Sequence, residues 1–350
     1  MEFSYSFPAV KGIQAGREYY ITMVPLKLLS KLFPSEDDIV APEHRAQRRI
    51  NETRIPDIKK YILENRDTYV FSALSASIDG EFSFVRFGDN IGTLLVDMDS
   101  VFLINDGQHR KAAIESAMLE DETLKNETIS IVFFADNGLA RSQQMFTDLN
   151  KHAVKTSNSL ATLYDSRDAL AVATRKVIAA VPFFKKYTDL ERDILGKNSS
   201  NLFTLNMIYK ANQKIIRNEE CNEEFIDFLI SYWNNVANNI NEWQEVMSRE
   251  LTKKDLRENY IITLAITLTA LGKLGRYFYE NKDVDMTTYL IRLKEIDWSR
   301  TNYDNWLGRT IRENGKVMNS EEAITLTCAK IKQLIGVPLT KDELAKETQR

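Results

Sequence analysis

The sequence is poor in the residues from which metal and disulfide frameworks are built. Among 350 residues there are only two cysteines, Cys221 and Cys328, and three histidines. The cysteines have no CxxC spacing and the histidines have no HxxxH spacing, which argues against a disulfide framework and against a zinc site. The sequence therefore predicts no metal site.

Several catalytic and targeting patterns are also missing. The chain contains no Walker A loop, no Gly-x-Gly-x-x-Gly turn and no Gly-x-Ser-x-Gly elbow. Its start, MEFSYSFPAV, lacks the basic and apolar regions of a secretory signal. The most apolar stretch, NYIITLAITLTALGKLG, is interrupted by threonines and is shorter than the roughly 20 residues that a bilayer span needs. We therefore expect a cytoplasmic protein in which this stretch is a buried helix.

Charge is unevenly distributed along the chain. The formal net charge of −4 argues against nonspecific polyanion binding by the whole surface. Residues 1–165 contain 18 Lys or Arg against 24 Asp or Glu, whereas residues 166–217 contain 10 Lys or Arg against 4 Asp or Glu. A basic segment inside an acidic protein indicates a localised interaction surface.

The first half of the chain alternates strand and helix patterns. GREYYITMVPL, TLLVDMDSVFLIN and ISIVFFAD have strand composition. Pro56 is placed like the first residue of a helix, with Asn51 or Thr53 as its cap. The Asp79-Gly80 dipeptide between two β-rich runs predicts a hairpin.

A change of pattern divides the chain in two. A last helix of the first part is predicted from about Leu139 to Leu149, and after Ser157 the strand signal disappears. EEFIDFLISYWNNVANNINEWQEVM, DLRENYIITLAITLTALGKLGRYFYEN and EEAITLTCAKIKQLI carry apolar residues at helical spacing. We therefore predict an α/β domain with a small mixed sheet over residues 1–157, followed by an all-helical domain over residues 158–350.

The stretch VFLINDGQHRKAAIESAML places five polar residues where a strand meets a helix: Asp106, Gly107, Gln108, His109 and Arg110. The first turn of a helix offers unpaired backbone N–H groups and a dipole that favours anions. The glycine allows a ligand to approach the backbone closely, and the arginine guanidinium carries several N–H donors that suit phosphate oxygens. The histidine can donate to a phosphate or carry a proton, and the aspartate can cap the helix, orient the basic residues or hold magnesium.

Two interpretations of this junction remain open on the residues alone. In the first, it is a phosphate-binding corner. In the second, Asp106 is only a helix cap, Gly107 only a turn residue, and His109 and Arg110 form a solvated first turn.

The string DGQHR resembles the signature of DGQHR-domain proteins. The runs FPAVKGIQAGREYYITMVPLKLL, HRAQRRINETRIPDIKKYI, FTDLNKHAVKTSNSL and LFTLNMIY resemble the DndB family of DNA phosphorothioation proteins in particular. Such domains are similar to the ParB and sulfiredoxin fold, in which the matching turn binds nucleotide phosphates. The resemblance implies a regulator of a sulfur-modification gene cluster, and it favours the phosphate-binding interpretation of the corner.

Two further segments carry candidate phosphate-site residues. Arg48 and Arg49 belong to a basic cluster before Pro56 that lines the same site, contacts a DNA backbone or is a solvated helix face. Asp148 and Asn150 lie in FTDLN, and the resemblance implies that they help complete the site. An ordinary helix C-terminus, at which lysines interact favourably with the negative end of the helix dipole, also explains that segment.

The basic segment contains one candidate DNA-contact helix, NLFTLNMIYKANQKIIR. Leu205, Ile208, Ala211 and Ile215 form its apolar stripe, and another face carries the basic residues Lys210, Lys214 and Arg217. With ERDILGKNSSN as the preceding helix and turn, it would dock on DNA like a recognition helix. The alternative is an ordinary amphipathic helix with solvated lysines.

The main functional hypothesis is a DNA-binding repressor of a DNA phosphorothioation gene cluster, with a nucleotide-binding corner and a homo-oligomeric helical domain. Its expected partners are double-stranded promoter DNA and other phosphorothioation proteins, and its expected ligand is ATP or another NTP with magnesium. The alternative is an NTPase or NTP-gated nuclease in which Asp106, His109 and Arg110 are catalytic. A third hypothesis is a protein-docking module in which the DGQHR turn only shapes the loop.

Overall fold

The structure is a computed structural model, and it describes residues 3–34, 51–135, 144–145, 147–149, 156–216 and 220–348. The chain divides into two compact units, residues 1–154 and residues 155–350. The first contains a mixed sheet and the second is mostly helical, which confirms the predicted fold class at this level.

The elements with described bounds in the first unit are seven strands and three α-helices. The strands are β1 Ser4–Gln14, β2 Arg17–Pro25, β3 Leu74–Asp79, β4 Phe82–Arg86, β5 Ile91–Asp97, β6 Val101–Asp106 and β7 Thr128–Ala135. The helices are α1 Leu29–Leu32, α2 Ile55–Glu64 and α3 Gln108–Met118, with 3₁₀ turns at Leu26–Leu28, Glu52–Arg54 and Glu122–Asn126.

The strands form one sheet in the order β4-β5-β1-β2-β7-β3-β6, in which only β3 and β7 run parallel. Side chains alternate in burial along β2 and β7, as the two-residue period of a strand requires. The buried side chains form one core with apolar residues from all three helices. The helices therefore cover one face of the sheet.

The hairpin predicted at Asp79-Gly80 is wrong. β3 ends at Asp79 but pairs with β6 and β7, whereas β4 pairs with β5. Gly80 has a φ of +141°, and a Cβ there would lie 2.4 Å from Ser100 Oγ. The glycine serves a bend that passes close to the β5–β6 connection, and the chain reverses instead at residues 87–90.

This connection forces the sheet to curl. β3 and β4 stand sixth and first in the strand order, yet only Gly80 and Glu81 join them. In a flat sheet five strand spacings would separate them by about 24 Å. Two linking residues reach at most about 10 Å. The two ends of the sheet must therefore approach each other.

The start of α2 agrees in part with its sequence signals: the helix begins at Ile55, one residue before Pro56, and its N-cap is Arg54. Pro56 lies in the first turn, where its missing N–H costs nothing. Asn51 caps the 3₁₀ turn before it, because its side chain accepts a hydrogen bond from the backbone N–H of Thr53 at 3.2 Å. The predicted helix near Leu139–Leu149 falls largely outside the described residues. The residues of it that are described, 144–145 and 147–149, are helical.

The second unit contains twelve α-helices among its described residues. They are α4 Asn158–Tyr164, α5 Ala169–Ala180, α6 Pro182–Tyr187, α7 Leu205–Ile215, α8 Glu223–Asn238, α9 Asn241–Ser248, α10 Lys253–Asn259, α11 Ala265–Glu280, α12 Met286–Leu290, α13 Tyr303–Trp306, α14 Glu321–Ile335 and α15 Lys341–Thr348. A 3₁₀ turn spans Ile291–Glu295.

Two details differ from the all-helical prediction. β8 Thr188–Asp189 and β9 Phe203–Thr204 form a short parallel pair, which is too brief to give a two-residue periodicity in the sequence. Each of the two longest helical patterns is split, between α8 and α9 and between α10 and α11. The expected buried helix in the most apolar stretch begins only at Ala265, where α11 starts and is largely buried, and residues 260–264 are not helical. Among the described residues, no helix is both long and apolar enough to cross a membrane.

The core of the second unit is aromatic and contains a buried polar network. Asn212 is fully buried, donates to Thr174 Oγ1 at 3.0 Å and accepts from Trp233 Nε1 at 2.7 Å. Helices α7 and α11 meet at Gly272, where a Cβ would lie 2.2 Å from the Ala211 carbonyl oxygen. These contacts fix α7 in the interior of its unit.

Candidate phosphate corner and nucleic-acid interface

The DGQHR residues lie at the junction of β6 and α3, which we call the β6–α3 corner. Asp106 is the last residue of β6, Gly107 is the N-cap, and α3 begins at Gln108. Gly107 has a φ of +106°, and a Cβ on it would lie 2.3 Å from Leu74 Cδ2. Both the backbone conformation and the packing therefore require glycine at this turn.

Arg110 and Asp106 bind each other across one turn of the chain. Arg110 Nη2 donates to Asp106 Oδ2 at 2.5 Å, and Nη1 donates to the carbonyl oxygens of Ser72 and Ala73 at 2.6 and 3.1 Å. Asp106 does not cap α3, because the N-cap is Gly107. The guanidinium therefore ties the start of α3 to the chain that leads into β3.

His109 connects the corner to the segment before α2. Its Nε2 accepts a hydrogen bond from the backbone N–H of Asn51 at 3.0 Å. That bond requires an Nε2 without a proton, because a protonated ring nitrogen is a donor only. This hydrogen bond holds Asn51, and therefore the start of the 3₁₀ turn that leads into α2, against the β6–α3 corner.

Buried polar side chains surround the start of α3. Gln108 is only 7% exposed, and its Nε2 has no partner among the described residues. Asn105 is fully buried and donates to Ser77 Oγ at 2.7 Å and to Met145 Sδ at 3.1 Å, while its Oδ1 has no described partner. Because burying an unpaired polar atom is costly, each of these atoms needs a partner that the described residues do not supply.

The other predicted phosphate-site residues are only partly described. Asp148 is exposed and accepts from Gln144 Nε2 at 2.7 Å, a contact within its own segment. Met145 of that segment reaches Asn105, next to the corner. Arg48, Arg49 and Asn150 lie outside the described residues. Within the described ranges, no group of three or more His, Cys, Asp or Glu side chains could hold a metal ion.

The predicted DNA-contact helix is α7. Its stripe of Leu205, Ile208, Ala211 and Ile215 is buried, as predicted. Lys210 is exposed, whereas Lys214 Nζ lies 2.7 Å from Glu321 Oε1 on α14. Arg217 lies outside the described residues.

The helix-turn-helix arrangement predicted around α7 is wrong. ERDILGKNSSN contains no helix, although every one of its residues is described. The Asp189 and Asp193 carboxylates bind backbone N–H groups there and hold the chain in an ordered loop. Burial alone would raise the pKa of Asp193, but hydrogen bonds from Asn158 and Ser159 outweigh it and lower that pKa.

A cationic surface that sequence reasoning did not identify lies around Tyr187. Lys186 Nζ and Lys253 Nζ lie 5.2 and 5.9 Å from the centroid of the Tyr187 ring. Lys185 and Lys254 are exposed beside them in the chain, and Arg257 holds the loop that carries Lys197 by donating to backbone oxygens of that loop. We call these five lysines the Tyr187 surface. The sequence signal is the pair of Lys-Lys doublets in FFKKY and TKKD. Because 66 residues lie between Lys186 and Lys253, the sequence does not show that the doublets come together.

A mixed sheet followed by a helical unit, with a strand–glycine–helix corner and surface lysines, defines a two-unit protein with candidate anion sites in both units. The family model of DndB, described as DNA-sulfur modification-associated, matches residues 7–338. The chain therefore belongs to the DndB family. Neither the curated proteins nor the solved structures contain a match to it.

Proposed function

We propose that this chain is a DNA-binding transcriptional regulator, acting as a repressor, of a DNA phosphorothioation gene cluster. The observation that carries the proposal is the family match over residues 7–338, because it connects nearly the whole chain with DNA sulfur modification. A protein with a net charge of −4 needs localised cations to bind duplex DNA, and the second unit supplies them. Its partners are the promoter duplex of its own cluster and other phosphorothioation proteins.

The β6–α3 corner is proposed as a nucleotide- or phosphate-binding switch. Support comes from the glycine turn at the start of α3 and from the buried Gln108 amide that has no partner among the described residues. Arg110 already binds Asp106 and the Ser72 carbonyl oxygen, so we assign it the role of shaping the corner. The backbone N–H groups at the start of α3 and the Gln108 amide would then contact the ligand. The resemblance of the DGQHR turn to the phosphate-binding turn of the ParB and sulfiredoxin fold is part of this proposal.

Arg48 and Arg49 are proposed to complete the phosphate site, together with Asp148 and Asn150. Their support is chain connectivity, since Arg49 precedes Asn51 by two residues and Asn51 donates to His109. The corner offers one half-exposed carboxylate, Asp106, and no described cluster for a metal. A magnesium ion would therefore arrive with ATP or another NTP and be held mainly by its phosphates.

Fluorescence anisotropy with two labelled duplexes tests the regulator proposal. The promoter duplex of the chain's own gene cluster should bind at least about a thousandfold more tightly than a scrambled duplex at one fixed physiological salt concentration. Adding ATP or GTP with magnesium should change the promoter affinity if the corner is a switch. Equal affinity for both duplexes would rule out a site-specific repressor.

The alternative function is NTP hydrolysis at the same corner. The observation that favours it is the Asp106 carboxylate, 45% exposed at the start of α3 and held in place by Arg110. Steady NTP turnover that is lost in Asp106→Asn, while nucleotide binding persists, would select the NTPase. Lys210, Lys214 and Arg217 remain proposed DNA contacts, with Lys210 the exposed one of the two that are described.

A further inference from the structure

The Tyr187 surface concentrates positive charge on a rigid support. The Tyr187 ring is buried, and its hydroxyl donates to the Val246 carbonyl oxygen of α9 at 3.2 Å. Lys186 and Lys253 come from different helices, yet both ammonium groups lie within 6 Å of this one ring centroid. The electron-rich ring attracts each of them. Two like charges placed around one ring repel each other, and an anion bound beside them would relieve that repulsion.

In the part of the chain that the structure describes, no acidic side chain pairs with Lys186 or Lys253. Among the described residues neither Lys186 nor Lys253 has a carboxylate within ion-pair distance. Elsewhere in the unit many lysines do, as Lys176 with Glu223 and Lys214 with Glu321 show. The difference matters because a lysine that is already paired must give up its partner before it can bind a phosphate.

Two of the three acids in the neighbouring loop bind backbone N–H groups, whereas the third, Glu191, is exposed. Asp189 accepts from the backbone N–H groups of Glu191 and Arg192, and Asp193 accepts from those of Asn158 and Ser159. These carboxylates are therefore used to order the loop. Its cations Arg192 and Lys197 remain exposed.

Arg257 attaches this loop to α10. Its Nη1 donates to the carbonyl oxygens of Gly196 and Lys197 at 2.9 and 3.3 Å. Lys253 lies four residues earlier on the same helix and hence on the same face. The loop lysine and the helix lysine are thus fixed on one side of the unit before any ligand binds, which reduces the entropy cost of binding.

We infer that the Tyr187 surface binds the phosphate backbone of duplex DNA. The inference rests on the proposed DNA-binding function and assigns it to Lys185, Lys186, Lys197, Lys253 and Lys254. Lys186 and Lys253 meet at one ring, and the exposed lysines beside them in the chain and in the adjoining loop add cations for a repeating row of phosphates. Phosphate contacts of this kind position a protein on DNA without reading its sequence. α7 has one face in the core and Lys214 paired, so it offers fewer cations for this purpose.

Charge reversal in the full-length chain tests the assignment. K186E/K253E should weaken binding to the labelled promoter duplex by about tenfold or more, since phosphate contacts are lost and repulsion replaces them. K316E/K341E makes the same change in net charge at exposed lysines elsewhere in the unit and should stay within about twofold of the wild type. K186R/K253R keeps the charges and should retain binding. Tryptophan fluorescence checks folding, because all four tryptophans lie in this unit.

The outcomes separate this inference from the regulator proposal. Promoter binding by K186E/K253E at wild-type strength would overturn the surface and leave the regulator intact, as would an equal loss in K316E/K341E. A wild type that binds promoter and scrambled duplexes equally, with both lost in K186E/K253E, would keep the surface and remove the site-specific repressor. Tighter binding to single-stranded RNA of the same sequence would overturn the assignment to duplex DNA, and so would no binding to either duplex.

Discussion

At the residue scale, the side chains of the DGQHR string divide between those that are paired within the corner and Gln108, whose amide nitrogen has no described partner. Arg110 and Asp106 satisfy each other and the backbone near Ser72, which is a structural use of two residues that look like catalytic groups in the sequence. Gln108 is buried with an amide nitrogen that lacks a described partner. In the proposed phosphate site, Gln108 is therefore the side chain of the string that would donate to the anion.

Replacing Gly107 with alanine tests how tightly the corner is built. The Gly107→Ala variant must adopt a φ of +106° and place a Cβ against Leu74. We therefore expect the free energy of local unfolding at the corner to fall by about 2–4 kcal/mol. Native-state hydrogen exchange of peptides spanning β6 and α3 measures this loss. Gly16→Ala is the control, since Gly16 has a φ of +74° but nothing within 4 Å of a Cβ, and should cost only about 1 kcal/mol. Equal losses in the two variants would show that packing against Leu74 is unimportant.

At the element scale, the last described helix, α15, is held by buried charge. Lys332 of α14 donates to both carboxylate oxygens of Glu343 at 2.8 and 2.9 Å, and the two residues are only 3% and 6% exposed. Glu343 also accepts from the Thr340 backbone N–H at 2.7 Å. A second pair, Arg309 with Glu347, joins the same helix to the end of α13. Such pairs hold α15 in one position because a lone buried charge is costly.

Glu343→Gln should therefore destabilise the second unit by about 3–5 kcal/mol, because Lys332 would be left buried without an anion. Urea unfolding followed by tryptophan fluorescence measures it. Asp342→Asn breaks an exposed ion pair with Lys346 on the same helix and should cost at most about 1 kcal/mol. If the two variants unfold at the same urea concentration, the buried pair does not fix α15.

At the scale of the whole molecule, a repressor that reads two half-sites needs two copies of its DNA-binding unit. The first unit has an outward row of apolar side chains on neighbouring strands, since Val10 lies opposite both Ile21 and Ile91. These three residues are 50%, 40% and 60% exposed. An exposed apolar row of this kind is typical of a protein–protein contact. We propose it as the contact of the homo-oligomer, in place of the helical domain expected from the sequence.

Ile21→Glu should convert the proposed oligomer to a monomer while leaving the fold intact, because the side chain already faces outward. Light scattering measures the mass of the particle, and the unfolding curve should not move. Ile13→Glu is the control, as Ile13 is 71% exposed on β1 but outside the row. A monomeric wild type would refute the oligomer, and an unchanged mass in Ile21→Glu would refute this row as its contact.

The sequence by itself determined the local features whose causes are local. The strand and helix segments, Pro56 in the first turn of α2, the buried stripe of α7 and the strand–glycine–helix corner all follow from periodicity, capping and backbone preference within a few residues. Tertiary structure decided what depends on distant partners. It made Asp79-Gly80 a bend instead of a hairpin, because Ser100 comes close to it. It paired Lys214 with Glu321, and it brought Lys186 and Lys253 over one tyrosine ring. No local pattern encodes those meetings, since the residues involved are far apart in the chain and meet only when the core forms.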